Sequence, residues 1–396
     1  MGKALGLLPS WYWPDGVQRY LAAPRVAIYE LTVNRWARRY GDDTALIRGD
    51  ESATFSELDA TCQSVATACG ARFPESPPRV ALALTSGVEF APLFLGLLRA
   101  NATLLLLDGP DEAALAEFGA GLVISDMAGV PGEAPGPWLE QGGSPAGRPA
   151  AMADAARPAI AFPGRDGLAW HSQVSLMSAA MAFAAFLSLE PKDRLVAIRP
   201  PGSWEAVIAL LAPLQAGAPA AACEPADDEE IAHLLRNERP GFAWVDAGRA
   251  AAMLDRDTPV ASALRDSRTN VFVTTHGPYP RHLRRALRHR LRAHVLTVYG
   301  FAECGAIAAS HPTWYLDDAA GIPMVGVDVL ALDPATGQPS ELPWSVLSYA
   351  GIGAKTQAVA TNRRTGLADG STGTDQWYVT GAHGILDANG MLFLQP

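Results

Sequence analysis

Tyr299, Gly300 and Glu303 are the residues of this 396-residue sequence best placed to do chemistry. They lie in Val298-Tyr-Gly-Phe-Ala-Glu-Cys304, directly after the apolar run His294-Val-Leu-Thr297. The pattern predicts a buried strand that breaks at Gly300 and leaves Tyr299 and Glu303 at its carboxyl end, where ligands collect in open α/β sheets. A flat aromatic beside a glycine can cover a planar ligand, and a carboxylate four residues on can hold a cation or accept from a hydroxyl. An ordinary strand-to-loop turn, with a core tyrosine and a solvated glutamate, uses the same residues.

The elements that must position this stretch alternate. A helix is expected over Arg25–Tyr40, short strands at Thr44–Ile47 and Ala53–Phe55 around Gly49-Asp50, and a helix opened by Ser56 as its cap. Strand Arg79–Leu84, helix Val88–Ala100, strand Thr103–Leu107, helix Asp111–Phe118 and strand Gly121–Ser125 follow. Such alternation implies a parallel sheet covered on both faces. Met127–Arg157, rich in Gly, Pro and Ala, is expected to connect two lobes over the surface. A second alternation runs through strand Ala159–Phe162, helix Gln173–Ser188, strand Arg194–Ile198, helix Trp204–Ala216, strand Ala220–Cys223, helix Asp227–Arg236 and strands Phe242–Val245 and Asn270–Thr274. Pro280–Arg292 is an arginine-rich helix. A basic run of this kind can bind phosphate but is commonly a solvated face, and Leu283, Ala286 and Leu291 supply a buried side.

After Pro312 the segments shorten and turn signals such as Asp369-Gly and Asn389-Gly recur, as in a small β-barrel or half-barrel. The expected architecture is therefore α/β: a first doubly wound lobe over 1–150, a second over 151–318, and a β-rich lobe over 319–396. Ala159–Phe162 and Val295–Val298 are expected to share one sheet.

Composition excludes several function classes. Hydrophobic residues make up 49% and charged residues 18%, as in a well-buried globular protein. With 41 acidic against 31 basic residues the net charge is −10, which repels nucleic acid and anionic lipid. Cys62, Cys69, Cys223 and Cys304 form no C-x-x-C pair and are expected to be reduced thiols of a cytoplasmic protein. No stretch is long and uninterrupted enough to span a membrane, no signal peptide is expected at the start, and Gly6 spoils a myristoylation motif. A G-x-S-x-G elbow is missing, which sets an α/β-hydrolase aside.

The order of five segments resembles the large N-terminal domain of the adenylate-forming superfamily: acyl- and aryl-CoA synthetases, peptide-synthetase adenylation domains and luciferases. Thr54-Phe-Ser-Glu-Leu-Asp59 is similar to its early (T/S)-(Y/F)-x-E-L-(D/N) segment, and Thr275-His-Gly-Pro-Tyr-Pro280 to its G-G-A-P-L-P loop. Tyr299-Gly-Phe-Ala-Glu303 is similar to Y-G-x-T-E. Gly321-Ile-Pro-Met-Val-Gly326 with Asp333 and Gly337, and Trp377-Tyr-Val-Thr-Gly381 with Gly384, Asp387 and Gly390, are similar to two later segments. The family joins a carboxylate to the α-phosphate of ATP, releases pyrophosphate and passes the acyl group to a thiol. The resemblance implies that Tyr299, with Gly300 and Phe301, covers the adenine, that His276 and Gly277 line its other edge, and that Glu303 holds magnesium. It places Trp204 against an acyl or aryl substrate, with Ser203 and Gly305 nearby. A core tryptophan at a helix start would fit Trp204 equally.

Several family features are altered. The phosphate loop, a Ser/Thr/Gly stretch ending in Pro-Lys-Gly, is replaced by the shorter Phe162-Pro-Gly-Arg-Asp-Gly-Leu-Ala-Trp-His171, which puts Asp166 where polyphosphate would sit; Arg165 restores one charge beside it. Ala302 stands for the threonine before the metal glutamate. Ala382 stands for the aspartate that clamps both ribose hydroxyls, a role His383 cannot fill. Losing two charge-assisted hydrogen bonds weakens nucleotide binding on the order of a hundredfold. The family's small C-terminal domain is expected to be absent. One reading is a non-catalytic module that binds an acyl or aryl carboxylate, its thioester, a carrier protein or a partner enzyme, with AMP or ATP and magnesium held weakly. The alternative is an active acid–thiol ligase completed by a separate domain or partner.

Overall fold

Both faces of the central strands are apolar, and the structure, a computed structural model, buries both. It describes residues 13–14, 16–21, 23–48, 51–140, 155–222, 226–255, 257–332, 349–353, 360–361, 377–379, 382, 384–386 and 391–394. Expectations for Cys223, Gly49-Asp50, Asp333, Gly337, His383, Asp387 and Gly390 lie outside those residues.

Two sheets dominate. The six-stranded one runs Ala360–Thr361, Gly167–Ser172, Pro158–Gly164, Thr103–Leu106, Arg79–Ala83, Leu122–Ser125. The nine-stranded one runs Ile322–Pro323, Gly305–Ala309, Val295–Phe301, Asn270–Thr275, Phe242–Asp246, Leu195–Ala197, Ala220–Ala221, Thr44–Arg48, Glu51–Thr54. Period-2 alternation sorts each strand between two cores. Val80, Leu82, Leu104 and Leu106 join Trp244, Phe272, Leu296 and Val298 in one cluster, shared with helices Phe55–Arg72, Gly87–Arg99, Gln173–Phe186 and Trp204–Ala216 between the sheets. Ala81, Ala83 and Leu105 face outward beneath Glu112–Phe118. Val196, Val245, Val271 and Val295 face outward beneath Asp228–Glu238, Pro259–Ser267 and Arg281–Leu291. From Asp328 onward a three-stranded sheet and the pair Gly384–Leu386 and Leu392–Leu394 follow.

The sheets do not respect the expected division at residue 150. Thr44–Thr54, early in the chain, belongs to the nine-stranded sheet, whereas Pro158–Ser172 belongs to the six-stranded one. Ala159–Phe162 and Val295–Val298 are therefore in different sheets, because Pro158–Gly164 pairs parallel with Thr103–Leu106 before the chain crosses over. Local alternation predicts strands but carries no information about which sheet receives them. Three smaller expectations also change. Thr54 caps the helix Phe55–Arg72 through a reciprocal box with Glu57, two residues ahead of the expected Ser56. Gly167–Ser172 is a strand that turns the shortened loop into a hairpin. Helices Ala247–Asp255 and Pro259–Ser267 fill a stretch left unassigned.

The arginine helix has an unexpected buried side. Ala286 is exposed and Leu283 only half-buried; Leu287, Leu291 and Arg284 face the core. Arg284 is 0% exposed, and burial pulls its pKa down to about 10. Its guanidinium donates to the carbonyls of Val295 (2.7 Å) and Leu316 (2.8 Å) and to Ser310 Oγ (2.8 Å), tying strand ends to the following loop. Arg285 and Arg288 pair with Asp317, so those charges serve the fold. Arg284→Met leaves the buried Val295 carbonyl and Ser310 hydroxyl without these donors and is expected to destabilise the chain by roughly 3 kcal/mol in urea unfolding, against under about 1 kcal/mol for Arg281→Met.

Candidate functional site

Parallel strands from both sheets deliver their carboxyl ends to one place. Leu195–Ala197 leads to Arg199, Phe242–Asp246 ends on Asp246, Asn270–Thr275 leads to His276, and Val295–Phe301 leads to Glu303. From the other sheet, Thr103–Leu106 leads to Asp108, and the hairpin brings Pro163, Gly164 and Arg165. Between them lies a cleft of about 530 Å³, walled also by Trp204, Glu205, Phe301, Ala302 and Ala382.

The hairpin is closed by the glutamate. Glu303, 6% exposed, accepts from the Arg165 backbone amide at Oε1, 2.7 Å away. A Cβ on Gly164 would sit 2.9 Å from the same oxygen, so glycine is what permits this approach. Such a bond to a charged acceptor contributes about 1.5–3 kcal/mol. The Arg165 guanidinium lies over the Phe301 ring, 5.3 Å from its centroid. Asp166 is exposed on the turn and does not line the cleft, which corrects its expected place in the polyphosphate path.

The aromatic expected over adenine is elsewhere. Tyr299 is 0% exposed, hydrogen-bonded through its backbone between Thr275 and Ala308, and does not line the cleft. The ring that does is Phe301, stacked on His276 at 5.3 Å and 27°. His276 Nδ1 donates to the Gly300 carbonyl at 2.8 Å, which holds the imidazole against Phe301. Gly300 is required locally, since any Cβ would collide with the Gly305 carbonyl. Gly277 does not line the cleft. Ser203 is buried and caps the helix Trp204–Ala216 by accepting from the Ala206 amide at 3.2 Å. Trp204 lines the cleft and meets Trp244 edge-on at 5.6 Å. Gly305 borders a void of about 10 Å³ behind Trp204, room for no more than one water.

Four residues escaped the sequence reading. Arg199 and Asp108 each follow an apolar strand, and Glu205 is an acid inside the apolar helix WEAVIALLAPLQA; those placements were the available signal. His171, 5% exposed, anchors the base of the hairpin. Its Nε2 donates to the Ala302 carbonyl at 2.6 Å, so Nδ1 accepts from Ser175 Oγ at 3.2 Å. Burial lowers its pKa to about 4, which keeps the ring neutral. Cys304 is buried beside Glu303, and burial first and then that carboxylate push its thiol well above the usual range. Among the described residues, no group of three or more His, Cys, Asp or Glu converges as a metal centre would need.

No family model matches the sequence, and no curated protein matches it. Solved structures do. A long-chain-fatty-acid–CoA ligase (FadD1) from Archaeoglobus fulgidus superposes with a TM-score of 0.78 at 14% identity, covering 97% of this chain and 86% of that one. ATP-bound MatB from Rhodopseudomonas palustris gives 0.76 at 18%, covering 92% and 78%. The N-terminal subdomain of Klebsiella oxytoca NpsA, in complex with 3-hydroxyanthranilyl-AMSN, gives 0.75 at 16%, covering 93% and 99%. The chain has the α/β fold of the large domain of adenylate-forming enzymes. No helix among the described residues is long and apolar enough to cross a membrane.

Neutral His171 links stability to pH. Its folded pKa lies below the unfolded value near 6.5, so its contribution is complete above that value and fades as pH falls towards about 4. Between pH 7 and 4.5 the wild type is expected to lose about 2 kcal/mol more than His171→Gln in urea titrations. Parallel losses in the two chains would show that the imidazole is not held neutral.

Proposed function

We propose that this chain is a ligase-like binding module: a cleft for an acyl or aryl carboxylate, or its thioester, on an adenylate-forming fold that does not activate acids with ATP by itself. The observation that carries this is the Glu303–Arg165 hydrogen bond. By resemblance, Glu303 would hold magnesium and the loop amides would wrap polyphosphate; here the carboxylate and a loop amide satisfy each other. The hairpin turn Gly164-Arg-Asp-Gly167 offers no hydroxyl, and Ala382, which lines the cleft, offers no side-chain acceptor to a ribose.

The residues fit a nucleotide poorly. Phe301 and His276 present rings to the cleft but are stacked on one another, leaving no slot between them. AMP or ATP is expected to bind weakly, and the triphosphate gains little because hairpin backbone and metal ligand are already engaged. A carrier protein or partner enzyme remains the proposed recipient of a bound acyl group. Supporting a short substrate is the near-closed space behind Trp204.

Calorimetry with adenosine, AMP and ATP should give affinities within about threefold of one another, at the millimolar level in order of magnitude, with no effect of magnesium. Incubation with ATP, magnesium and a panel of carboxylic acids should show no pyrophosphate exchange above background. Ala382→Asp should not restore it, because the hairpin stays closed. Exchange with any acid, or ATP binding tenfold tighter than AMP with the gain lost in Glu303→Ala, would instead establish the ligase reading, completed by another domain or partner.

A further inference from the structure

One wall of the cleft sets three carboxylates around a single guanidinium. Arg199 Nη1 donates to Asp246 Oδ2 at 3.0 Å, behind the cleft. Its Nη2 stands 3.6 Å from Glu205 Oε1 and 3.8 Å from Asp108 Oδ2, both beyond hydrogen-bond reach. One guanidinium thus hydrogen-bonds Asp246 and stands in ion-pair range of the other two carboxylates. Asp246 is well served: burial pushes its pKa up, but the Arg249 and Gly248 amides and Arg199 outweigh that and hold it below the usual value. Glu205 is not. It is 1% exposed, it lines the cleft, and its Oε2 has no hydrogen-bond partner. Burial raises its pKa, with Arg199, its own backbone amide and the Thr274 hydroxyl acting the other way.

A buried carboxylate with an unused oxygen calls for a donor, and the surrounding charge favours a cationic one. On this wall Asp108 and Glu205 outnumber Arg199, so it suits the amine of a ligand and not its acid group. A divalent metal needs more converging ligands than the described residues provide. We propose that the wall formed by Glu205, Asp108 and Arg199 binds a primary ammonium group, with Glu205 as its principal acceptor and the ligand body against Trp204. Asp108, whose side chain is 47% exposed, adds attraction at the mouth. The space behind Trp204, about 10 Å³, excludes a long chain. The ligand class that results is a short aryl or alkyl acid bearing an amine. The acid half of that description rests on the function proposed above; the ammonium half rests on Glu205.

Ligand-observed NMR separates the two halves with benzylamine, benzyl alcohol and benzoate as probes. At pH 7, benzylamine should bind the wild type at least about tenfold tighter than benzyl alcohol, as a charge-assisted hydrogen bond implies. Glu205→Gln should bring the two within about twofold, and Asp108→Asn should narrow the gap less. Intermolecular contacts from benzylamine should reach the Trp204 indole, a readout that needs no variant. Equal binding of amine and alcohol to the wild type, a gap that survives Glu205→Gln, or contacts confined away from Trp204 would overturn the proposal. Benzylamine binding without benzoate binding would uphold the ammonium site and remove the acid reading. Benzoate binding with no preference for the amine would do the reverse.

Discussion

A carboxylate buried where two sheets meet must find a donor, and that requirement organises this site. Glu303 follows the strand Val295–Phe301 of one sheet, and the donor it finds is an amide on a hairpin of the other. The bond therefore joins the sheets across the cleft. Around it, Gly164 removes the side chain that would block the approach, and His171 pins the hairpin's base to the Ala302 carbonyl, one residue before Glu303. Two contacts on adjacent residues, Ala302 and Glu303, make the hairpin and the strand end one unit.

That unit decides which groups are free in the cleft. The strands still bring their carboxyl ends together, so the cleft persists. Glu303 and the hairpin amide are occupied with one another, and Phe301 and His276 are stacked together. The polar capacity that remains lies on the opposite wall, around Glu205.

Much of the fold was legible because local rules agree with it. Apolar runs bounded by caps marked Gly87–Arg99 and Trp204–Ala216 closely, whereas the strand Val295–Phe301 runs through Gly300, where a break was expected. Sheet membership was not legible, since Pro158–Gly164 looks the same whether it pairs with Thr103–Leu106 or with a strand of the second half. The strand Gly167–Ser172 was missed because Trp170-His171-Ser172 breaks simple alternation, and its pairing comes from the turn. Arg284 was hidden for a related reason: an arginine among four others on a helix gives no sign that it alone is fully buried. At the site, the motif around Tyr299 located the cleft and included Phe301, which faces it, yet a pattern of types could not say that Tyr299 would be fully buried. Glu205 stood beside Trp204 in plain view, but its isolation depends on distances to Arg199 that only the fold sets.

The most direct test of the closed hairpin is residue-resolved amide hydrogen exchange at Arg165, with and without saturating ATP and magnesium. If Glu303 holds that amide, exchange is slow in the free chain, becomes fast in Glu303→Gln, and does not change with nucleotide. An Arg165 amide that exchanges as fast as an open loop, and becomes protected only when ATP and magnesium are added, would contradict the account, because the loop would then be available to phosphate.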